Sequence, residues 1–122
     1  MLILLSCAKT MSDVSKVKVP FTTIPCFQKE AAEIALEMSQ FSVEELEHLL
    51  RVNPKIAVEN YKRYQAFHAE GTPELPALLA YTGIVFKRLN AKDFSKVEFE
   101  YAQEHLRLTS FCYGLLRPLD VI

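Results

Sequence analysis

The stretch Leu-Leu-Arg-Val-Asn-Pro-Lys-Ile-Ala, residues 49–57, decides the fold of the central part of this chain. Two helical patterns meet there across a very short connection. Asn53 is a suitable N-cap for the second helix, and Pro54 suits its first position, where the missing N–H has no helical partner. The sequence therefore predicts that the turn between the two helices is about three residues long, covering 51–53.

The first of these helices has its own start signal. Ser42 and Glu45 have the spacing of a capping box, in which each side chain accepts a hydrogen bond from the other residue's backbone. The apolar residues that follow recur at helical spacing: Val43, Leu46, Leu49 and Leu50. We therefore predict a helical hairpin over about residues 42–68. A hairpin that does no more than pack into a core remains the alternative for this stretch taken alone.

The turn resembles the helix-hairpin-helix DNA-binding motif, whose hairpin typically reads Leu-Pro-Gly-Val-Gly-Pro-Lys-Thr-Ala. The residues that match it are Leu49, Val52, Pro54, Lys55 and Ala57. Arg51 and Asn53 stand where the motif has glycines, which permit positive φ and let backbone N–H groups approach a phosphate. Asn tolerates the left-handed region, whereas Arg does so poorly. The resemblance implies contact with the DNA phosphate backbone.

Basic residues cluster on and after this turn. Within residues 51–64 only Glu59 is acidic, against Arg51, Lys55, Lys62 and Arg63. The N-terminus of the second helix would add free N–H groups and the positive end of the helix dipole. The predicted DNA-binding residues are therefore Arg51, Val52, Asn53, Lys55, Lys62 and Arg63. Because the net charge of the chain is −1, bulk electrostatic coating of nucleic acid is excluded and a local patch is required.

Length and composition limit the other options. A chain of 122 residues fits one domain, 1–122, and half of its residues are apolar. Its three cysteines suggest neither a disulfide framework nor a zinc knuckle, which favours a reducing cytoplasm. The three histidines form no ligand set with Glu or Cys, so we predict no metal and no cofactor. No stretch approaches membrane-spanning length, so we expect no membrane partner.

The apolar patterns predict an α/β fold, with α+β as the alternative: a small, mainly buried sheet flanked by helices, with the hairpin inserted. Strands are expected at 2–6, 77–81 and 108–116, since all three are apolar runs. Helices are expected at 28–40 and 85–91. A further helix is expected to begin after Ser95, with an inner face formed by Phe94, Val97, Tyr101 and Leu108.

Several segments taken together resemble the peroxide stress protein YaaA family of bacteria. Residues 1–10, Met-Leu-Ile-Leu-Leu-Ser-Cys-Ala-Lys-Thr, are similar to the family's Met-Leu-Ile-Leu-Ile-Ser-Pro-Ala-Lys-Thr. Residues 94–107 and the run Tyr-Gly-Leu-Leu-Arg-Pro-Leu-Asp at 113–120 resemble its most distinctive block. The order and spacing of the segments agree over the whole chain. Departures are Leu5, Cys7, Ile84 and Phe111, where the family has isoleucine, proline, aspartate and glycine.

The resemblance implies a cytoplasmic protein of the oxidative stress response. Such a protein protects cells against hydrogen peroxide by limiting free iron, and it binds DNA non-specifically through a helix-hairpin-helix. Members of the family are much longer than this chain, so we expect residues 1–122 to be a fragment, the N-terminal half of a longer domain.

A second candidate site combines residues at predicted strand ends: Lys9, Thr10, Tyr113 and Arg117. Lys9 follows a predicted strand, where α/β proteins usually place ligand groups. A small anionic ligand would fit, and the alternative function is an enzyme acting on a nucleotide or phosphorylated small molecule. Arg117 with Asp120 is instead open to interpretation as a structural ion pair. With neither a nucleophile–base pair nor a phosphate-binding glycine loop in the sequence, we rank the enzyme second.

Overall fold

The computed structural model describes residues 1–69, 71–72 and 74–122. Its elements, in chain order, are β1 (Ile3–Ser6), α1 (Gln28–Met38), α2 (Val43–Leu50), α3 (Pro54–Ala66), α4 (Ala77–Ala80), α5 (Ile84–Leu89), a 3-10 helix (Ala91–Asp93), α6 (Lys96–His105), β2 (Leu106–Ser110) and β3 (Gly114–Leu116). This is a mixed α/β fold, which confirms the predicted class. The chain divides into two compact units, one of residues 1–28 with 73–122 and one of residues 29–72. That residues 1–122 form one domain stays a prediction.

The sheet belongs to the first unit and is mixed. Its strand order is β1-β2-β3, with β1 parallel to β2 and β2 antiparallel to β3. Leu5 pairs with Leu108, and Leu108 pairs with Leu116, so these three side chains share one face. That face contributes to the core of the unit together with Phe99, Leu119 and the residues of α4.

The prediction of a mainly buried sheet needs one correction. On β2 the side chains of Leu106 and Leu108 are buried, but three of the four residues of β1 are exposed. The reason is topological, since β1 lies at the edge of the sheet and only one of its faces meets the core. An apolar run at the start of a chain does not reveal how many neighbours its strand will have.

Two strand predictions are wrong in type or extent. Residues 77–81 were expected as a strand, yet Ala77–Ala80 form a short buried helix that follows Pro76. A continuous apolar run fits a buried strand and a buried helix equally well, and alanine and leucine are strong helix formers. Residues 108–116 are two strands, because Gly114 adopts φ +70 and the chain reverses between β2 and β3.

Helix α6 is present as expected, but its predicted inner face is wrong. Ser95 caps it by accepting from the N–H of Glu98 at 3.2 Å. Val97 is 71% exposed and Tyr101 is also exposed, whereas Phe99, Ala102 and Gln103 are buried. The buried face of the helix includes the small Ala102 and the polar Gln103, so the sequence pattern of large apolar residues does not identify it.

A buried polar network holds the end of the chain in the first unit. The fully buried carboxylate of Asp120 accepts from the Thr23 hydroxyl, the Arg117 N–H and Arg117 Nε, the last two at 2.8 and 3.1 Å. Gln103 extends this network, because its Nε2 donates to Thr23 Oγ1 at 3.1 Å and its Oε1 accepts from the Leu119 N–H at 2.8 Å. Both Gln103 and Asp120 therefore have hydrogen-bond partners, as burial requires.

We predict that Asp120→Ala lowers the free energy of unfolding by about 2–4 kcal/mol, because three donors, including a charged one, lose their buried acceptor. Denaturation in urea followed by circular dichroism measures this. The matched control is Asp93→Ala, which removes an exposed carboxylate and should cost less than about 1 kcal/mol. Similar losses in the two variants would contradict the importance of the network.

Candidate nucleic-acid interface

The helical hairpin of the second unit begins with the predicted capping box. Ser42 Oγ accepts from the Glu45 N–H at 3.2 Å, and the Ser42 N–H donates to Glu45 Oε1 at 3.3 Å. Helix α3 begins as predicted with Asn53, whose Oδ1 accepts from the Ile56 N–H at 2.9 Å, followed by Pro54. Both caps are local, so they follow from side-chain chemistry at fixed spacing.

The turn between α2 and α3 covers 51–53, as expected, and its geometry depends on Arg51. This residue is left-handed, with φ 52 and ψ 53. Its N–H donates to the Glu47 carbonyl, and the Val52 N–H donates to the same oxygen at 3.2 Å. Arg51 thus adopts the conformation that glycine supplies at this position of the helix-hairpin-helix motif. A residue with a side chain adopts this conformation at a higher energy than glycine does.

Packing of the hairpin uses a narrow apolar face. Leu46 of α2 and Ala57 of α3 are fully buried, and the small alanine side chain permits a close approach of helices. Tyr61 and Tyr64 of α3 are half-buried, while His68 lies beyond the helix and is exposed. Leu49 is exposed as well, so the predicted apolar face of α2 is only partly covered.

The predicted DNA-binding residues fall into two groups. Arg51, Val52, Asn53 and Lys55 lie together at the turn and the start of α3, and all except the half-buried Val52 are exposed. Lys62 and Arg63 lie about two helical turns further on, roughly 10 Å along the axis of α3. Lys62 is exposed and Arg63 is half-buried. Any surface that uses all six residues therefore follows α3 lengthwise.

Backbone donors at the turn are fewer than the sequence suggested. The N–H groups of Arg51, Val52 and Ile56 donate within the hairpin, and Pro54 has none. Helix geometry leaves the N–H groups of Asn53 and Lys55 without an intrahelical acceptor. Among the described residues of the turn, these two are the ones best placed to meet an anion.

The second candidate set is distributed over three places in the first unit. Thr10 follows β1, where its carbonyl accepts from the Thr82 N–H at 3.0 Å and its hydroxyl accepts from Thr82 Oγ1 at 2.8 Å. Tyr113 lies in the turn between β2 and β3. Arg117 is engaged by Asp120 and donates from Nη2 to the Ile24 carbonyl at 2.9 Å. For Arg117, the geometry is that of a structural ion pair.

Titratable groups that the sequence did not indicate gather beside Tyr113. Burial raises the pKa of Tyr113 above its usual range, and burial likewise raises the pKa of Tyr81 to about 12 and that of Cys112 to about 11. A hydrogen bond with the Ser110 side chain lowers the Tyr81 pKa and so partly offsets the effect of burial, whereas the electrostatic interaction with Cys7 raises this pKa further. Cys7 follows β1 and Ser110 ends β2, and these two strands are parallel neighbours. The spacing of the residues in the sequence does not reveal this pairing, so their proximity could not be predicted from it.

Open grooves lie elsewhere. One of about 330 Å³ is lined by Lys18, Val19, Pro20, Phe94, Lys96 and Phe99, and one of about 450 Å³ by Phe41, Glu44, Glu45, His48 and Leu49. Neither contains a residue of the two candidate sets. In the described part of the chain, no group of three or more His, Cys, Asp or Glu is arranged to hold a metal ion. Nor does any described helix have the length and apolar character to cross a membrane.

Fold and site together define a mixed α/β protein that carries a capped helical hairpin with a basic turn. The chain belongs to the peroxide stress protein YaaA family, whose profile matches residues 1–122. This confirms the resemblance noted in the sequence.

Relatives of the chain are bacterial and much longer. A UPF0246 protein of Bacteroides thetaiotaomicron is 88% identical over 122 residues, and one of Bacteroides fragilis is 81% identical. A third, from Legionella pneumophila, is 39% identical over 125 residues. Each alignment covers all of this chain but only 48%, 48% and 49% of the length of the respective relative. The chain spans about half the length of the relatives it matches.

We predict that Arg51→Gly raises the free energy of unfolding by about 0.5–1 kcal/mol, because glycine removes the left-handed strain at a small entropic cost. Urea denaturation measures the change. Asn90→Gly is the matched control: Asn90 is also left-handed, with φ 54, but asparagine tolerates this region and its side chain donates to Asp93. No gain is expected there. A loss of stability in Arg51→Gly would refute the strain argument.

Proposed function

We propose that this chain acts in a bacterial response to peroxide stress and binds duplex DNA through the turn of its helical hairpin. The observation that carries the proposal is the exposure of Arg51, Asn53 and Lys55 together at the N-terminus of α3. Contacts would be made to phosphates, which fix position on the duplex but carry no sequence information, because the turn presents positive charge and backbone N–H groups.

The physical basis of the proposed binding is local charge. The N–H groups of Asn53 and Lys55, the positive end of the α3 dipole and the Arg51 and Lys55 side chains all favour one phosphate position. Lys62 and Arg63 would meet the backbone further along the helix. Because the whole chain has a net charge of −1, the rest of the surface adds no attraction, and binding should weaken steeply with salt.

Limiting free iron completes the proposal, with membership of the peroxide stress family as its support. Less free iron means less Fenton chemistry, which produces the radicals that damage DNA. Binding DNA and lowering iron would thus protect the same target. We place this activity in the cytoplasm, where the chromosome and reduced thiols coexist.

We predict that Lys55→Ala combined with Lys62→Ala weakens binding to a random-sequence duplex and lowers the slope of log affinity against log salt by about 2, one for each lost phosphate contact. Fluorescence anisotropy at several salt concentrations measures both quantities. Both side chains are exposed, so circular dichroism should not change.

The matched control for this experiment is Lys87→Ala with Lys92→Ala. These lysines are also exposed, and the double change alters the net charge equally, but they lie on and after α5 in the other unit. Binding and salt slope should stay as in the unchanged chain. Equal losses in both double variants, or no DNA binding by the unchanged chain, would refute the proposal.

A second candidate function is an enzyme or receptor for a nucleotide or other small anionic ligand at Lys9 and Thr10. The observation in its favour is that Thr10 is held by two hydrogen bonds from Thr82 just beyond a strand of a parallel pair, the usual place for ligand groups. The engagement of Arg117 by Asp120 counts against its use as a ligand contact.

We predict for this second function that a nucleotide raises the melting temperature of the chain and that Lys9→Ala abolishes the rise, because the ammonium group would pair with phosphate. Thermal-shift measurements against a panel of nucleotides and sugar phosphates test this. Lys16→Ala, another exposed lysine, serves as the control. No stabilisation by any compound of the panel would rule the function out.

A further inference from the structure

The sheet of the first unit has a second face that the core does not cover. Its side chains follow from the strand register, in which Leu4 pairs with Arg107, Ser6 with Thr109, and Thr109 with Leu115. Because side chains alternate along a strand, these five residues lie opposite the core face of Leu5, Leu108 and Leu116. We name them the outer sheet face: Leu4, Ser6, Arg107, Thr109 and Leu115.

The outer sheet face is open and partly apolar. Leu4 is 62% exposed and Leu115 is 45% exposed, while Ser6 and Thr109 are exposed too. Phe111, one residue after β2, is exposed beside them in sequence. Only Arg107 is half-buried, and its Nη1 donates to the carbonyls of Gln103 and Leu106. Leu4 and Leu115 lie on the two outer strands of the sheet, on either side of β2, and they leave apolar area that a further element would cover.

An open face is less common beside parallel strands than beside antiparallel ones. Parallel sheets occur almost entirely with both faces covered, since their crossover connections place elements on either side. Here β1 and β2 are parallel, and their core lies on one side only. β1 is also an edge strand, with the exposed Met1 and Leu2 before it. The parallel pair β1–β2 and the exposed Leu4 and Leu115 therefore favour a cover over the outer sheet face of this mixed sheet.

We propose that the outer sheet face is the docking surface for the half of the family polypeptide that this chain does not match. The relatives at 88% and 81% identity contain about as much sequence outside the matched region as within it, which is enough for a covering layer. The docked segment would present apolar side chains to Leu4 and Leu115 and hydrogen-bonding groups to Ser6 and Thr109. The inference is independent of DNA binding.

The test uses two proteins, this chain and a chimera in which it replaces the matched region of the Bacteroides thetaiotaomicron relative. In the chimera, Leu4→Asp with Leu115→Asp should lower the melting temperature by about 10 °C or more, since two carboxylates would be buried without partners. In the 122-residue chain the same pair should lower it by no more than about 4 °C, because both positions are exposed there.

Val97→Asp is the matched control, because Val97 is an exposed apolar residue of α6 between the exposed Lys96 and Glu98. It should shift the melting temperature little in either protein. Equal effects of the sheet-face pair in chain and chimera, or an equal effect of Val97→Asp in the chimera, would overturn the proposal. So would a dimer of the 122-residue chain in size-exclusion chromatography that the sheet-face pair converts to monomer, since a second copy would then be the occupant.

Discussion

The buried carboxylate of Asp120 is the interaction on which the first unit depends most. Its oxygens accept from Thr23 and twice from Arg117, and Gln103 links Thr23 to the Leu119 backbone. Backbone hydrogen bonds then join the same residues to distant segments: Thr23 with Leu119 and Val121, Ala77 with Asp120, and Leu75 with Ile122. A charge buried at this point is stable only if all these donors are in place, so the network selects one arrangement of four segments far apart in sequence.

The helical hairpin depends on a different kind of constraint, which is local. Ser42, Glu45 and Asn53 satisfy helix-end N–H groups within three residues of themselves, and Pro54 suits the start of a helix in almost any context. Arg51 is the exception in the hairpin, because its backbone adopts a left-handed conformation that costs glycine less energy. The strain there is offset by the hydrogen bonds of the Arg51 and Val52 N–H groups to the Glu47 carbonyl.

Much of the fold could be predicted from the sequence, and the errors share a cause. Helix ends at Ser42, Asn53 and Ser95 were readable because capping is short-range chemistry. The predictions for the apolar runs at 77–81 and 108–116 were wrong because hydrophobicity indicates that a segment is buried, but not whether it is a helix or a strand or where it turns. The inner face of α6 was misplaced for the same reason: Ala102 and Gln103 are buried by neighbours, and Gln103 by its hydrogen bonds. Of the candidate sites, the basic turn could be predicted from the sequence, whereas the cluster of titratable groups near Tyr81 and Ser110 could not.

The sequence by itself determined the hairpin, its caps, the basic residues of its turn and the family to which the chain belongs, since each rests on residues close together in the chain or on a direct match of segments. The tertiary structure alone decided that Arg117 donates to the Ile24 carbonyl, that β1 lies at an edge, and that one face of the sheet stays open. These features arise from contacts between residues far apart in the chain, and such contacts depend on how many strands pair and in which order.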